Sequence, residues 1–404
     1  MNNIPLKQIL EKAVCNISDD ENLVYGELDS AMSGLTKVLL EAMAESEVER
    51  RVGVKFHERG EARQDYRNGY RNRYVQMSYQ LVQMKIPRLR GQGFVPSFLE
   101  PNHRAIAEVE SWVGKAFLCG LSRSEVIRVM ESTTGCRPSD TLIKNVQLEL
   151  DKQVKAFRER QLLGRYQYLF LDAAWTKDIV GVNATRICIM TALGVTYSGE
   201  KEILGFERTP TENETNWRGF LSRLKERGLK PDDLELVISD EHHGLLNAAS
   251  EVLGDVSHQL CWAHRSRNVR KAVLVTDRKA VIAGLRDVYD AKNLHLAKYA
   301  FRKWEERWSN KYFSVVENVR KDMGYLLAFY KCDDLHWEYL RTSNPIERVF
   351  RELRRQQYGC GAYANKDSCN RAVFRVFNWL NTLWKDKNIW QPRLHKRKKV
   401  NKAA

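Results

Sequence analysis

At 404 residues, 43% hydrophobic and 29% charged, the chain can bury two or three domain cores, and none of its apolar runs approaches the roughly 18 residues of a membrane span. Met1 to Lys7 lacks a signal-peptide core and the eight cysteines are scattered singly, which excludes a disulfide framework and points to a cytoplasm with reduced thiols. Lys and Arg outnumber Asp and Glu 66 to 51, a formal charge of +15, so the expected partner is a polyanion, with nucleic acid foremost and a nucleoid-associated location.

Residues 1 to about 55 read as helical, because Glu27 to Met43 carries apolar side chains at mixed spacings of three and four. A helical module over 1–60, or a dimerisation face, is expected. From Arg67 to Arg90 the chain holds six basic residues and no acid, interleaved with Tyr70, Tyr74 and Tyr79. Alternation from Val75 to Ile86 predicts a strand or hairpin. Arg67, Arg71, Arg73, Arg88 and Arg90 would contact phosphates while the tyrosines stack; an edge strand protected by charge would look similar. Residues 105 to 160 predict helices with a turn through Gly135 and Cys136. Ser139 caps a segment whose Leu142, Ile143, Val146 and Leu150 share one face. That outline fits a helix-turn-helix with Lys144, Asn145 and Gln147 facing a major groove, although such helix pairs also occur in proteins that never meet DNA. The DNA-binding region is placed at 61–160.

The run Gln167 to Asp172 is apolar until its closing carboxylate, and Glu235 to Asp240 repeats the design. Both read as strands buried on two faces of a sheet. In an open α/β sheet, chemistry collects beyond the carboxyl ends of such strands. Were the two parallel neighbours, Asp172 and Asp240 would crowd each other, raise one another's pKa and favour hard cations, Mg²⁺ or Mn²⁺, between them. Such a pair is the core of a two-metal site for phosphodiester chemistry. An Asp in this position also serves as a helix cap or turn former.

Between them, Arg186 to Thr196 and Glu202 to Arg208 predict strands joined by a turn at Tyr197 to Glu200, and Trp217, Phe220, Leu221 and Leu224 predict a helix ended by Gly228. A helix over Gly244 to Leu253 and a strand over Ser257 to Trp262 follow. Three strands, a helix, a strand, a helix and a strand is the order of a ribonuclease H-like fold. That predicts an α/β catalytic core over 161–262, an all-helical insertion at 263–341 and final core helices at 342–390. A tryptophan of the insertion (Trp304, Trp308 or Trp337) could stack on a displaced base, or belong to the core. Asn344 as N-cap and Pro345 at the first helical position open a helix with Ile346, Val349, Phe350 and Leu353 as its buried stripe. Glu347 suits a capping box there, while Arg348, Arg351, Arg354 and Arg355 suit phosphates. Residues 391–404 form a basic tail.

The segments Leu171–Ala173, Ser239–Leu245, Cys261–Asn268 and Thr342–Arg348, with Gly69–Arg73 and Ile86–Arg88 upstream, resemble the Mutator-like transposases of bacterial insertion sequences. The resemblance implies an Asp-Asp-Glu transposase. Asp172, Asp240 and Glu347 would hold two Mg²⁺ (or Mn²⁺) ions for strand cleavage and strand transfer. Double-stranded DNA would be the partner, as terminal inverted repeats and target, bound by a homodimer without any membrane. Cys261 and His264 match a Cys-x-x-His feature, for which a structural, hydrogen-bonding role is expected over zinc. Glu241 stands where relatives often have Gly and adds a carboxylate. A ribonuclease H-like nuclease or junction resolvase, or a catalytically idle DNA-binding descendant, are the alternatives.

Overall fold

The computed structural model describes residues 21–55, 57–58, 61–76, 81–91, 93–99, 107–119, 121–134, 137–180, 183–357 and 361–390. Residues 1–20, Tyr79, the turn at Gly135 and Cys136, and the tail 391–404 lie outside them. Among the described residues no helix is long and apolar enough to cross a membrane. The chain divides into two compact units, Met1–Leu150 and Asp151–Ala404.

In the first unit, helix α1 (Glu21–Val52) packs its Ala44, Val48 and Val52 on an antiparallel hairpin of β1 (Arg67–Gln76) and β2 (Leu81–Leu89). Period-two alternation buries Val82, Met84 and Ile86 on α1 and leaves Gln83, Lys85 and Arg88 outside. Acids of α1 tie the hairpin down: Lys85 N donates to Glu41 Oε1 at 2.7 Å and Tyr70 Oη to Glu45 Oε1 at 2.5 Å. Helices α2 (Ala107–Leu118), α3 (Arg123–Thr134) and α4 (Asp140–Glu159) follow. Leu142, Ile143, Val146 and Leu150 of α4 are buried against Val126 and Met130 of α3 and Val113 of α2, as their spacing predicts. Ser139 caps α4, its Oγ accepting from Leu142 N at 3.1 Å.

The second unit is built on a five-stranded sheet of β3 (Tyr166–Val180), β4 (Asn183–Thr196), β5 (Lys201–Thr209), β6 (Leu236–Ser239) and β7 (Ser257–Leu260), in the order β5-β4-β3-β6-β7. β4 runs antiparallel to β3 and β5, whereas β3, β6 and β7 are mutually parallel. One face is covered by α5 (Glu214–Glu226) and α6 (His243–Leu253): Trp217, Phe220, Leu221 and Leu224 of α5 and Leu245 and Leu253 of α6 bury against Leu169, Leu171 and Met190. The β4–β5 turn needs Gly199, whose φ is +81°, a region that β-carbons disfavour. Beyond β7 the chain is helical through α7 (Trp262–Ala272), α8 (Arg278–Tyr289), α9 (Leu294–Trp308) and α10 (Phe313–Lys321), then short turns. Last come α11 (Asn344–Gln357) and α12 (Lys366–Trp384).

Two sequence expectations change. β3 does not stop at Asp172: its parallel pairing with β6 ends at Phe170 with Ile238, but pairing with β4 continues to Val180, so a long hairpin projects past the carboxyl edge. α11 opens with Ser343, whose carbonyl receives Ile346 N at 3.1 Å and Glu347 N at 3.0 Å, and Asn344 is its first residue rather than its cap. Of the tryptophans named between β7 and α11, Trp304 (3% exposed) and Trp308 (8%) are buried in the core, and Trp337 is half-buried with its Nε1 donating to Cys332 O at 2.9 Å.

Candidate active site

Parallel pairing of β3 and β6 sets Asp172 and Asp240 each two residues beyond the last paired positions, at the same edge. Asp172 is 8% exposed and accepts from Ala173 N at 2.7 Å. Burial first, then the neighbouring Asp240 charge, push its carboxyl up to about 7, and Glu347 adds to the rise. Asp240 accepts from His242 N at 3.2 Å, in the turn that opens α6. The two aspartates are therefore close enough to repel, and Glu347 lies within electrostatic reach.

Glu347 is carried by α11, whose Ile346, Val349, Phe350 and Leu353 are buried as predicted. Its carboxylate does not close a capping box. It faces His264 Nε2 at 3.5 Å and Arg267 at 3.8 Å, both on α7. His264 is held up at about 9, mainly by its hydrogen bond with Cys261 and against its burial, with Asp172 and Asp240 contributing. Cys261 Sγ accepts from Ser343 N and Ser343 Oγ at 3.2 Å each, and Ser343 Oγ lies 3.4 Å from His264 Nδ1. The Cys-x-x-His segment thus fastens the residue that opens α11. His258 is engaged by Ser239 Oγ at 2.7 Å and lowered to about 4 by burial, hence neutral.

Glu241 is already engaged on α7. Arg265, only 7% exposed in its side chain, pairs with it at 2.6 Å and also with Asp322, and Asn268 Nδ2 donates to it at 3.1 Å. Sequence reasoning missed Glu212, which precedes α5 and accepts from Trp217 Nε1 at 3.2 Å. Burial raises its pKa, His242 opposes the rise, and Asp240 adds to it, so a fourth carboxylate stands beside Asp240. Only the nearby buried Trp217 could have hinted at it; the surrounding Thr211 to Asn216 reads as a turn.

Among the described residues no three His, Cys, Asp or Glu side chains already stand as a metal-ligand cluster. The donor chemistry of the aspartate pair nevertheless fits a hard divalent cation, because two crowded carboxylates, one driven toward protonation, gain most from one. Glu347 would join by exchanging His264 and Arg267 for the ion. A cavity of about 610 Å³ lined by Arg158, Glu207, Arg223 and Arg227 does not include the acids.

The raised carboxyl makes a stability prediction. A carboxylate whose folded pKa exceeds its ordinary 3.8 stabilises fully below that value and loses the contribution as pH rises through about 7. In EDTA, the protein should lose on the order of 3 kcal/mol between pH 4 and 8 from this group. Asp172→Asn should melt above wild type at pH 8. A lower melting temperature for Asp172→Asn at pH 8 would contradict the crowding.

Of the predicted DNA contacts, Arg88 on β2, Arg90 just beyond it, Lys144 on α4, and Arg348, Arg351 and Arg355 on α11 are exposed; Asn145 is half-buried. Arg67 and Arg71 donate to the carbonyls of Val54 at 3.4 Å and Phe94 at 3.3 Å, which spends part of their capacity inside the first unit, and Arg73 also has partners. Lys144 and Arg88 belong to the first unit and the α11 arginines to the second.

A mixed sheet with carboxylates gathered at the edge of its parallel pair, and a helix-borne glutamate beside them, defines an α/β protein with an acidic site. The sequence model of the family "Transposase, Mutator family" matches residues 9–387, so the chain belongs to the Mutator family of transposases. It is 30% identical over 322 residues to the transposase for insertion sequence element IS905 of Lactococcus lactis, covering 80% of each chain. The ISRM5 transposase of Rhizobium meliloti is 28% identical, covering 91% of this chain and 93% of its own. The IS406 transposase of Burkholderia multivorans is 30% identical, covering 90% and 93%.

Proposed function

We propose that this transposase binds the terminal inverted repeats of its insertion sequence and cuts and rejoins DNA through Asp172, Asp240 and Glu347, with two Mg²⁺ or Mn²⁺ ions as cofactor. The observation that carries the reading is Asp172 itself, buried beside Asp240 and raised to about 7, with Glu347 in reach on α11. The sheet order, with β4 alone antiparallel, supports a ribonuclease H-like core in which the helices from α7 to α10 form an insertion ahead of the Glu-bearing helix.

Bound divalent ions would activate a water or a DNA 3′-hydroxyl and stabilise the leaving oxygen. The chain supplies the rest. Asp172 and Asp240, fixed by the β3–β6 register, set where the scissile phosphate sits. Glu347 closes on it from α11. Arg267, half exposed and freed when Glu347 turns, is placed to neutralise phosphate charge. His264, cationic at neutral pH, keeps α11 fastened meanwhile.

The test is strand nicking of the repeats that flank the gene. Purified protein should nick at the repeat boundary in Mg²⁺ and stop in EDTA. Binding to the repeats without nicking in any divalent ion would leave the idle, DNA-binding alternative.

A further inference from the structure

The β3–β4 hairpin beyond Asp172 has two unlike faces. On one, Asp178 is fully buried and paired with Arg208, whose Nε donates at 2.7 Å, while Tyr363 brackets the strand by donating to Lys177 O at 2.9 Å and accepting from Ile179 N at 2.8 Å. These contacts make the hairpin a braced arm. On the other face, Trp175 is 40% and Ile179 42% exposed, and Lys177 and Arg186 are exposed and directly opposite each other in the register. The Arg186 guanidinium stacks over the Trp175 ring at 4.5 Å.

Two cations directly opposed across a strand pair repel and weaken it. Among the described residues no ion pair to an acid is recorded for either one. An exposed indole beside them adds to the cost of leaving the face in water. Each feature is relieved by a ligand bearing both anionic groups and flat aromatic rings. Trp175 lies three residues past Asp172, about 10 Å along the strand and, by period-two alternation, on the other face, so the platform flanks the acid edge on the projecting hairpin rather than sharing its face.

We infer that the Trp175–Lys177–Arg186 face is a binding platform for a nucleic acid strand entering or leaving the acid site, with Trp175 stacking on an unpaired base and Lys177 and Arg186 taking adjacent phosphates. The inference deepens the DNA-cutting reading and rests on it for the position of the cut. A sequence-tolerant contact follows, because every base offers a π-face and the cations meet only backbone. The platform is therefore separate from any readout of the repeats by the first unit.

The test uses the full chain and a duplex of the gene-flanking repeat with an unpaired overhang at the cleavage point. Affinity is measured by fluorescence anisotropy in an Asp172→Asn background, so that binding is read without chemistry. Trp175→Ala should weaken binding of the overhang duplex about tenfold and leave the blunt repeat duplex within about twofold. Trp175→Phe should restore most of the loss, which a folding defect would not allow. Lys177→Glu/Arg186→Glu should flatten the dependence of log affinity on log salt by about two phosphates' worth. Unchanged overhang affinity and salt slope in all three variants would overturn the platform. So would Trp175→Ala dissolving a protein dimer while DNA affinity stays constant, because the face would then receive a second copy of the chain. Cleavage by Asp172→Asn itself would overturn the acid-site reading and leave the binding result standing.

Discussion

Asp172→Asn, Asp240→Asn and Glu347→Gln should each abolish the proposed strand cleavage, by at least about 10³-fold or roughly 4 kcal/mol of transition-state stabilisation, and leave affinity for the terminal repeats intact. The asymmetry follows from where the charges sit. Asp172 is buried against Asp240 and gains little from solvent, so its ionised carboxylate costs the fold, and the proposed ion would offset that cost. An amide keeps the shape but cannot supply the charge. Glu241→Gln is the matched control. It lies next to Asp240, yet Arg265 and Asn268 hold its carboxylate, so cleavage per folded molecule should stay within about threefold. Nicking rates and repeat affinity of the four variants, measured side by side, decide which acids belong to the site. Loss of activity in Glu241→Gln with Glu347→Gln still active would reassign the third ligand.

Asp178→Ala should cost about 3–5 kcal/mol, the largest stability loss expected of a single polar substitution here. Asp178 is fully buried and Arg208 is 14% exposed in its side chain, so truncation strands a guanidinium out of reach of water. For a unit of this size, the melting temperature of the second unit should fall by roughly 10 °C. Replacing both partners together by apolar residues of similar volume should recover most of the loss, since the cost lies in the unpaired charge and not in the missing pair. Equal melting of Asp178→Ala and wild type would mean that Arg208 finds water or another acid. The braced hairpin also loses its anchor, so cleavage should fall together with stability.

Local order was readable wherever one residue pattern dictated it. The i, i+3, i+4, i+7 series from Trp217 to Leu224 made α5 legible, and the apolar runs leading to Asp172 and Asp240 made two buried strands legible, which pair in parallel. Family membership bears out the resemblance carried by the Asp172, Asp240 and Glu347 segments and Cys261–His264. What stayed hidden was set through space. Residues 173–180 mix Ala, Trp, Lys and Ile with no alternation that separates a projecting hairpin from a loop, and their order comes from β4 and Tyr363. Glu212 reads as part of a turn until folding sets it beside Asp240. The partner of Glu241, Arg265, and the clasp of His264 on Glu347 join segments whose spacing along the chain predicts no contact. Even the cap of α11 moved by one residue, since Asn344-Pro345 marks a helix start without saying which carbonyl receives the first N–H groups.

The most direct measurement is anomalous scattering from Mn²⁺ in crystals of the full chain bound to a cleaved repeat end. The account predicts manganese density between Asp172 and Asp240, with Glu347 rotated off His264 and Arg267 onto the ion. Manganese bound elsewhere, or an occupied aspartate pair with Glu347 still clasped by His264 and the DNA end in place, would contradict it.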